Sequence, residues 1–530
     1  MSYQDNEQTL PSVAQQLQQG SAPEDLFLTV IFHPDMRRIG QVARVPRKAG
    51  LAPWVLGRRS PNFSGCGLSP APLDEAHISR QAVELDFTGA QLTLNRFAGS
   101  SRCRCGDEEV FNSATIGQER LRAGVPIVLS HSVVLMLRLS SSQEALHIAA
   151  GVDESATAQI IGRSAAVAGL RREITEVAAS DFDVLVRGET GSGKELVARA
   201  IHAASRRHAG PLVSVNMAAI PEELAAAALF GSARGAFTGA DRANSGYFRQ
   251  AEGGSLLLDE IGDTPASLQP LLLRALQQRE VQAVGGAIVP VDVRVISATD
   301  ADLESPARGF KSALHHRLAM AEINVPPLRE HPEDIGELCR YFLQRSAPGL
   351  GRQAVLPSPT TDARHIAVWA NLFYLFSRYH WPGNVRQLEN FMRQLLLDSA
   401  RAPQLNQRLL AILTADGKSS RKKHTAVRSR QMRDIGDTEF EAAMDAQRFE
   451  VQAVAQQLGV SRTSVYRRIE SSARYRLATQ IPAAELRNAL RAAQGDVDAV
   501  AQRLRVSATS LRRHARHLRD SGDLGDAPQR

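Results

Sequence analysis

Cysteine is scarce in this chain of 530 residues: Cys66, Cys103, Cys105 and Cys339 are all it has. Cys103 and Cys105 form a lone Cys-x-Cys with no second pair nearby, so neither a zinc site nor a disulfide framework is expected. Such a chain suits a reducing cytoplasm. Long apolar runs are also missing. None reaches the ~18 residues that a spanning helix requires, so no membrane association is expected. The opening "MSYQDNEQTLPSVAQQLQQG" lacks a signal peptide's apolar core, and residues 1–24 read as a disordered leader. Acidic residues are under-represented at one end only. From Lys418 onward there are 22 lysines and arginines against 13 acidic residues, a surplus of nine, whereas the whole chain carries +7, which leaves −2 for the remainder. A basic tail domain points to nucleic acid, although a solvated charged surface has the same composition.

The centre carries phosphate chemistry. "FDVLVRGETGSGKELVARAIH" reads as a short apolar strand, a Gly-rich turn and a helix. Gly188, Glu189, Thr190, Gly191, Ser192, Gly193, Lys194 and Glu195 fit a phosphate loop, although Glu195 stands where Ser or Thr is usual. Its backbone N–H groups would cradle phosphates at a helix N-terminus, and Lys194 would reach the β- and γ-phosphates of ATP. "GGSLLLDEIGD" is a second buried strand, ending in two acids. Asp259 would hold Mg²⁺ and Glu260 would activate water. A third strand, "VDVRVISATD", ends in Thr299, placed to sense the γ-phosphate. Arg317 and Arg386 are candidate cations for the developing charge, or plain surface arginines.

"GETGSGKE", "FGSARGAFTGA", "GGSLLLDEIGD", "VPPLREHPEDI" and "WPGNVRQLEN" occur in that order. Together they resemble the AAA+ domain of the bacterial sigma-54-dependent transcription activators, the enhancer-binding proteins. The resemblance implies an ATPase that acts as a homo-oligomer, from dimer to hexamer, and remodels the sigma-54 RNA polymerase holoenzyme. It makes Gly235, Ala236, Phe237, Thr238, Gly239 and Ala240 the loop that contacts sigma-54, with Phe237 at the tip. The structural alternative folds Phe237 back into its own core. The resemblance also assigns Asn216 to restraining Glu260, Arg317 to an arginine finger and Arg386 to a lid arginine that reads nucleotide state. Lys311 stands where the family has a first finger arginine, and Asp300 stands where Asn usually follows the sensor Thr. A non-catalytic DNA-binding scaffold, or another AAA+ remodeller, are the alternatives.

Near the end the chain repeats itself without gaps. "FEAAMDAQRFEVQAVAQQLGVSRTSVYRRI" lies over "LRNALRAAQGDVDAVAQRLRVSATSLRRHA" at an offset of 46 residues. Each copy reads as a helix, a turn and a second helix opened by Ser461 or Ser507 as N-cap. Arg462, Thr463, Arg467, Arg468, Thr509, Ser510, Arg512 and Arg513 on the second helices suit groove and phosphate contacts. Each copy resembles a Fis-type helix-turn-helix, which implies enhancer DNA as partner. A pair of dimerising hairpins is the other reading.

Residues 25–145 show short alternating apolar runs between turn signals, which suggests a β-sandwich. "VLGRRSPNF" followed by "PLDEAHISRQAVEL" resembles a forkhead-associated domain. That implies a phosphothreonine protein as partner, held by Arg58, Ser79 and Arg80, although Ala82 replaces the expected His. The chain thus reads as multidomain. A β-sandwich at 25–145 precedes an α/β AAA+ P-loop core at 155–327 with a helical lid at 328–400. A basic linker at 401–437 leads to all-α helix-turn-helix copies at 438–475 and 482–519.

Overall fold

The computed structural model describes residues 24–45, 53–88, 91–141, 156–236, 242–305, 309–400, 402–404, 406–419, 435–458, 462–470, 472, 474–493 and 496–520. The expected leader, Glu24 apart, lies outside them, as do residues 420–434 of the expected linker. Among the described residues, no helix is long and apolar enough to cross a membrane.

The N-terminal part is two β-sheets, of eight and four strands, that share one apolar core. Its two longest strands, Glu24–Phe32 and Val133–Ser141, pair antiparallel along their length. Successive side chains on a strand point to opposite faces. Val133, Leu135 and Leu137 accordingly enter the core between the sheets, while Val134 and Met136 enter a second core with the lid helices. Phe32 crosses the same boundary and packs its ring 4.9 Å from that of Phe373. This explains a misreading of the sequence. "LFLTVIF" and "VVLMLRL" are continuous apolar runs rather than alternating ones, because both faces of these strands are covered.

The central part is a parallel five-stranded sheet. Its order is Leu212–Asn216, Ser255–Asp259, Arg294–Thr299, Val184–Arg187 and Ala321–Asn324. The Gly-rich turn leaves the strand Val184–Arg187, which has a parallel neighbour on either side. Its bound ligand would sit at the strands' carboxyl ends. The lid consists mainly of the helices Ile335–Leu350, Ala363–Phe376 and Asn384–Asp398. It continues beyond residue 400: a further helix, Gln407–Ser419, buries Leu413 in the lid core, so the first part of the expected linker is lid.

Residues 419–530 form a separate unit. Each repeat copy contains three helices rather than two. The first has Asp437–Ala446, Val451–Leu458 and Arg462–Glu470; the second has Ala483–Ala492, Val497–Leu504 and Ala508–Asp520. The 46-residue offset holds at every helix start. Each copy has its own apolar core, one around Phe440, Val454 and Val465, the other around Leu486, Val500 and Leu511.

Candidate functional site

The phosphate loop forms because Gly191 and Gly193 sit at φ of 78° and 106°, where a side chain would be strained. Lys194, the first residue of the following helix, is almost fully buried. Its ammonium donates to the Gly188 carbonyl at 2.9 Å. Ser192 Oγ is buried with no hydrogen-bond partner. Leaving a buried hydroxyl unmatched is costly, so Ser192 Oγ and Lys194 together suit an anion. Beside the loop lies a cavity of about 500 Å³, lined by Ile160, Leu196, Tyr341 and Val385 among others. Gln159, His331, Arg345 and Glu389 also line it, and a cleft of apolar walls with a few polar groups suits a flat aromatic base.

Asp259 and Glu260 end the strand Ser255–Asp259 and are partly buried. Asp259 accepts the Glu260 N–H at 3.1 Å. Glu260 adopts φ of 53°, which turns the chain sharply off the strand end. Burial raises the Glu260 pKa above the ordinary carboxylate range; Lys194 opposes the shift and Asp300, Asp259 and Asp263 add to it. Among the described residues, no cluster of three His, Cys, Asp or Glu stands ready to bind a metal. Mg²⁺ usually takes one or two carboxylates and completes its shell with substrate phosphates, a demand that Asp259 meets.

Three other candidates sit near the ends of their elements. Thr299 is buried and its hydroxyl accepts the Ala301 N–H at 3.0 Å; Asp300, next to it, takes the Thr190 hydroxyl at 2.5 Å. The strand end therefore touches the phosphate loop through Asp300. Asn216 accepts the Ala218 N–H on its side-chain oxygen at 2.9 Å, which fixes the side chain and leaves its amide N–H groups as the donors that could face a carboxylate. Arg317 donates to the Leu276 carbonyl at 2.7 Å and lies 3.8 Å from the buried Asp183. It does not line the cavity of its own chain. Lys311 is exposed at the N-cap of the same helix, Ser312–Leu318.

Sequence reasoning missed a lid latch. Arg329 donates two hydrogen bonds to Glu189, at 2.7 and 2.8 Å, and Asn384 donates to Glu189 at 3.1 Å and to the Thr190 carbonyl at 3.2 Å. Arg329 and Asn384 together hold the Glu189 pKa down to about 2. The Glu189 carboxylate thus serves the lid, and only its backbone remains for a phosphate. Arg386 meets the loop through its backbone, donating N–H to the Gly191 carbonyl at 3.2 Å, with its side chain exposed. Gly191 is needed here, since a Cβ would lie 2.4 Å from the Gly383 oxygen. Arg329 and Asn384 were both inside quoted motifs, but nothing in their spacing pairs them with Glu189.

Phe237, Thr238, Gly239 and Ala240 lie outside the described residues; Gly235 and Ala236 lie within them. The loop's two ends are stapled together. Ser232 and Asn244 exchange backbone hydrogen bonds at 3.0 and 2.9 Å, and Ala233 donates to Val284 at 2.9 Å. Phe230 and Phe248 stack below, with centroids 5.5 Å apart. Gly246 permits the closeness, because a Cβ there would meet Gly231 N at 2.3 Å. Gly235 is exposed at φ of 78° with open space around it.

In the C-terminal unit Ser507 is the N-cap expected, accepting the Ser510 N–H at 3.2 Å, whereas Ser461 lies outside the described residues. Arg467, Thr509, Ser510 and Arg513 are exposed. Arg462 and Thr463 begin the helix Arg462–Glu470. Arg468 is a correction. Its guanidinium donates to Ile435 O and Asp437, both at 2.7 Å, and covers the Phe440 ring, so it belongs to the packing of the first copy. Arg512 pairs with Asp498 at 2.6 Å. Both partners are exposed, and such pairs contribute only about 0–1 kcal/mol, so Arg512 can be drawn to a phosphate.

The structure also brings the three forkhead-type candidates together. Arg58 N–H donates to the Ser79 carbonyl at 2.9 Å, and Gly57 lies so close to Arg80 that a Cβ would sit 2.2 Å from its oxygen. Ser79 and Ser101 exchange backbone-to-hydroxyl hydrogen bonds at 2.8 and 3.1 Å. Ser101 is a member of this loop cluster that the sequence did not single out.

Comparison with known proteins covers the centre and the first repeat copy. Residues 160–324 match the family model of the sigma-54 interaction domain, 329–426 the AAA+ ATPase lid domain, and 439–471 the Fis family of bacterial regulatory proteins. The transcriptional regulatory protein ZraR of Klebsiella oxytoca is 41% identical over 325 residues, 60% of this chain and 68% of that protein. The DNA-binding transcriptional regulator NtrC of Escherichia coli K12 is 46% identical over 247 residues, 46% of this chain and 50% of that protein. The transcriptional activator HyfR of the same strain is 46% identical over 241 residues, 45% of this chain but only 34% of that protein, so the chain spans from about a third to two thirds of such relatives. Among solved structures, NtrX from Brucella abortus in complex with ATP is similar at 30% identity and a TM-score of 0.39, over 59% of this chain and 69% of that one. The lid match to residue 426 agrees with the helix found beyond residue 400. With a phosphate loop, a paired-acid strand end, a latched lid and a Fis-type helical copy in one chain, the protein belongs to the sigma-54-dependent transcriptional activators, and its central domain is an AAA+ ATPase.

Proposed function

We propose that this chain binds enhancer DNA, assembles into a ring of up to six copies, and uses ATP hydrolysis to remodel the sigma-54 RNA polymerase closed complex. The observation that carries the reading is the stem of the loop 231–246: its flanking glycines are in contact and its base is stapled, and the sequence between includes Gly-Ala-Phe-Thr-Gly-Ala. A stapled base lets a small movement of the core displace the whole tip. In the ATPase, Lys194 and the loop N–H groups bind the phosphates, Asp259 holds Mg²⁺, and Glu260 takes the proton of the attacking water. Arg317, turned from its own cavity, is left to serve a neighbouring subunit, with Lys311 beside it. Asn216, at the adjacent strand end, restrains Glu260 through its side-chain N–H groups. The chain works in the cytoplasm. The test is promoter opening in the presence of ATP, compared between the native chain and Phe237→Ala.

DNA is held by the third helices of the two copies. Arg467→Ala combined with Arg513→Ala should weaken binding and flatten its salt dependence by about one unit of slope per lost phosphate contact. Anisotropy titrations at several salt concentrations read both quantities; unchanged slopes would remove these residues from the interface.

The input is a phosphothreonine-bearing protein at the loop cluster of Arg58, Ser79 and Arg80. What supports this is that Arg58, Ser79 and Arg80 are neighbours through their backbones and carry the guanidinium and hydroxyl groups that a phosphate dianion calls for. Arg58→Ala should raise the Kd for a phosphothreonine peptide by about tenfold, in line with the loss of one charge-assisted bond. Equal titrations with phosphorylated and unphosphorylated peptide would sink the idea.

A further inference from the structure

The lid helix Ile335–Leu350 and the turn before it stand between two cavities. The one beside the phosphate loop, about 500 Å³, is lined by His331, Leu338, Tyr341 and Phe342 of this segment. The one against the β domain, about 490 Å³, is lined by Glu333, Asp334 and Glu337 of the same segment. A buried bond joins the two walls: His331 Nδ1 lies 3.0 Å from Asp334 Oδ2. Asp334 Oδ1 in turn accepts the N–H groups of Arg163 and Ser164, at 2.6 and 2.9 Å, where the ATPase core begins.

The β domain grips this segment from outside. Arg138 donates to both oxygens of Glu333, at 2.6 and 2.5 Å. Arg340 donates to the carbonyls of Met36 and Ile39, each at 3.3 Å. Backbone meets backbone at Gly336, where a Cβ would lie 2.5 Å from the Ile31 oxygen and 2.9 Å from its Cα. Leu338 and Phe342 belong to the apolar core shared with Ile31, Phe32 and Met136, yet they also line the cavity beside the phosphate loop. One rigid element therefore has the β domain on one side and the nucleotide site on the other, the arrangement through which two sites can bias one equilibrium.

We infer that the β domain sets nucleotide affinity by holding this helix in place, so that undocking the domain weakens nucleotide binding. This rests on reading the phosphate loop as the nucleotide site. Linkage makes the effect mutual: bound nucleotide tightens the docking by the same factor. A partner captured by the β domain then reaches the ATPase by loosening or firming this contact.

The experiment uses the full chain, a fluorescent ADP analogue and hydrogen exchange of the strands 24–32 and 133–141. Gly336→Ala suits helix formation on its own account, but its Cβ has no room against Ile31. It should speed exchange in both strands and raise the analogue's Kd by about fivefold or more, the usual lower range of allosteric coupling. Arg138→Glu should do likewise, and adding Glu333→Arg should restore both readings. Faster exchange with a Kd within about twofold of the native chain overturns the inference. So does native exchange in both single variants. A native chain that fails to bind the analogue overturns the nucleotide reading instead, and that arm tells the two apart.

Discussion

Lys194→Ala is expected to abolish nucleotide binding while leaving the fold intact. Alanine is the best helix former, so the helix Lys194–Ala204 loses nothing in propensity. What is lost is the buried cation. A hydrogen bond to a charged group contributes roughly 1.5–3 kcal/mol, and in the proposed role Lys194 would meet two phosphates, so the Kd should rise by about a hundredfold or more. Calorimetric titration with ATP measures this, and thermal unfolding checks the fold. Glu260→Gln provides the contrast: it should bind ATP with little change and lose turnover, since the amide cannot take a proton. Native affinity in the Lys194 variant would place the phosphates elsewhere.

The phosphate loop, the acid pair and the repeat were all legible because each is a local pattern with one dominant physical cause. Glycines at forced backbone angles, an apolar strand ending in charge, and a gapless 46-residue offset need no tertiary knowledge. The lid latch was not legible, because Arg329 and Asn384 meet Glu189 across 140 and 195 residues of sequence. Arg468 looked like its neighbour Arg467; its partners Ile435, Asp437 and Phe440 lie on and just before the first helix of the copy, which the sequence reading did not separate from the second. Asp300 was noticed as a departure, but its bond to Thr190 needed the strand end to be placed beside the loop.

Phe237→Ala should leave ATP binding in place and reduce hydrolysis little, yet remove promoter opening. The described stem of the loop, Gly231 to Ala236, contributes no wall to the cavity beside Lys194, which is why turnover should survive. An aromatic anchor buried on a partner contributes ~2 kcal/mol or more, enough to weaken a complex by at least about tenfold. Sigma-54 binding is measured with an ATP transition-state mimic present, and ATP turnover is measured in parallel. Thr238→Ala should follow the same pattern. A Phe237 variant that still binds sigma-54 and still opens promoters would refute the proposed output.

The double burial of the strands 24–32 and 133–141 has a practical consequence for dissecting this protein. Motif boundaries invite a cut near residue 155 to isolate the ATPase. That cut would strip the cover from Phe373 and its neighbours, which now lie against Phe32 and Met136. An excised ATPase would carry a sticky apolar flank, and the excised β domain its mirror image, so each piece would self-associate for reasons unrelated to ring assembly. Gel filtration of such fragments would then report the cut rather than the biology, and oligomer counts belong to the uncut chain.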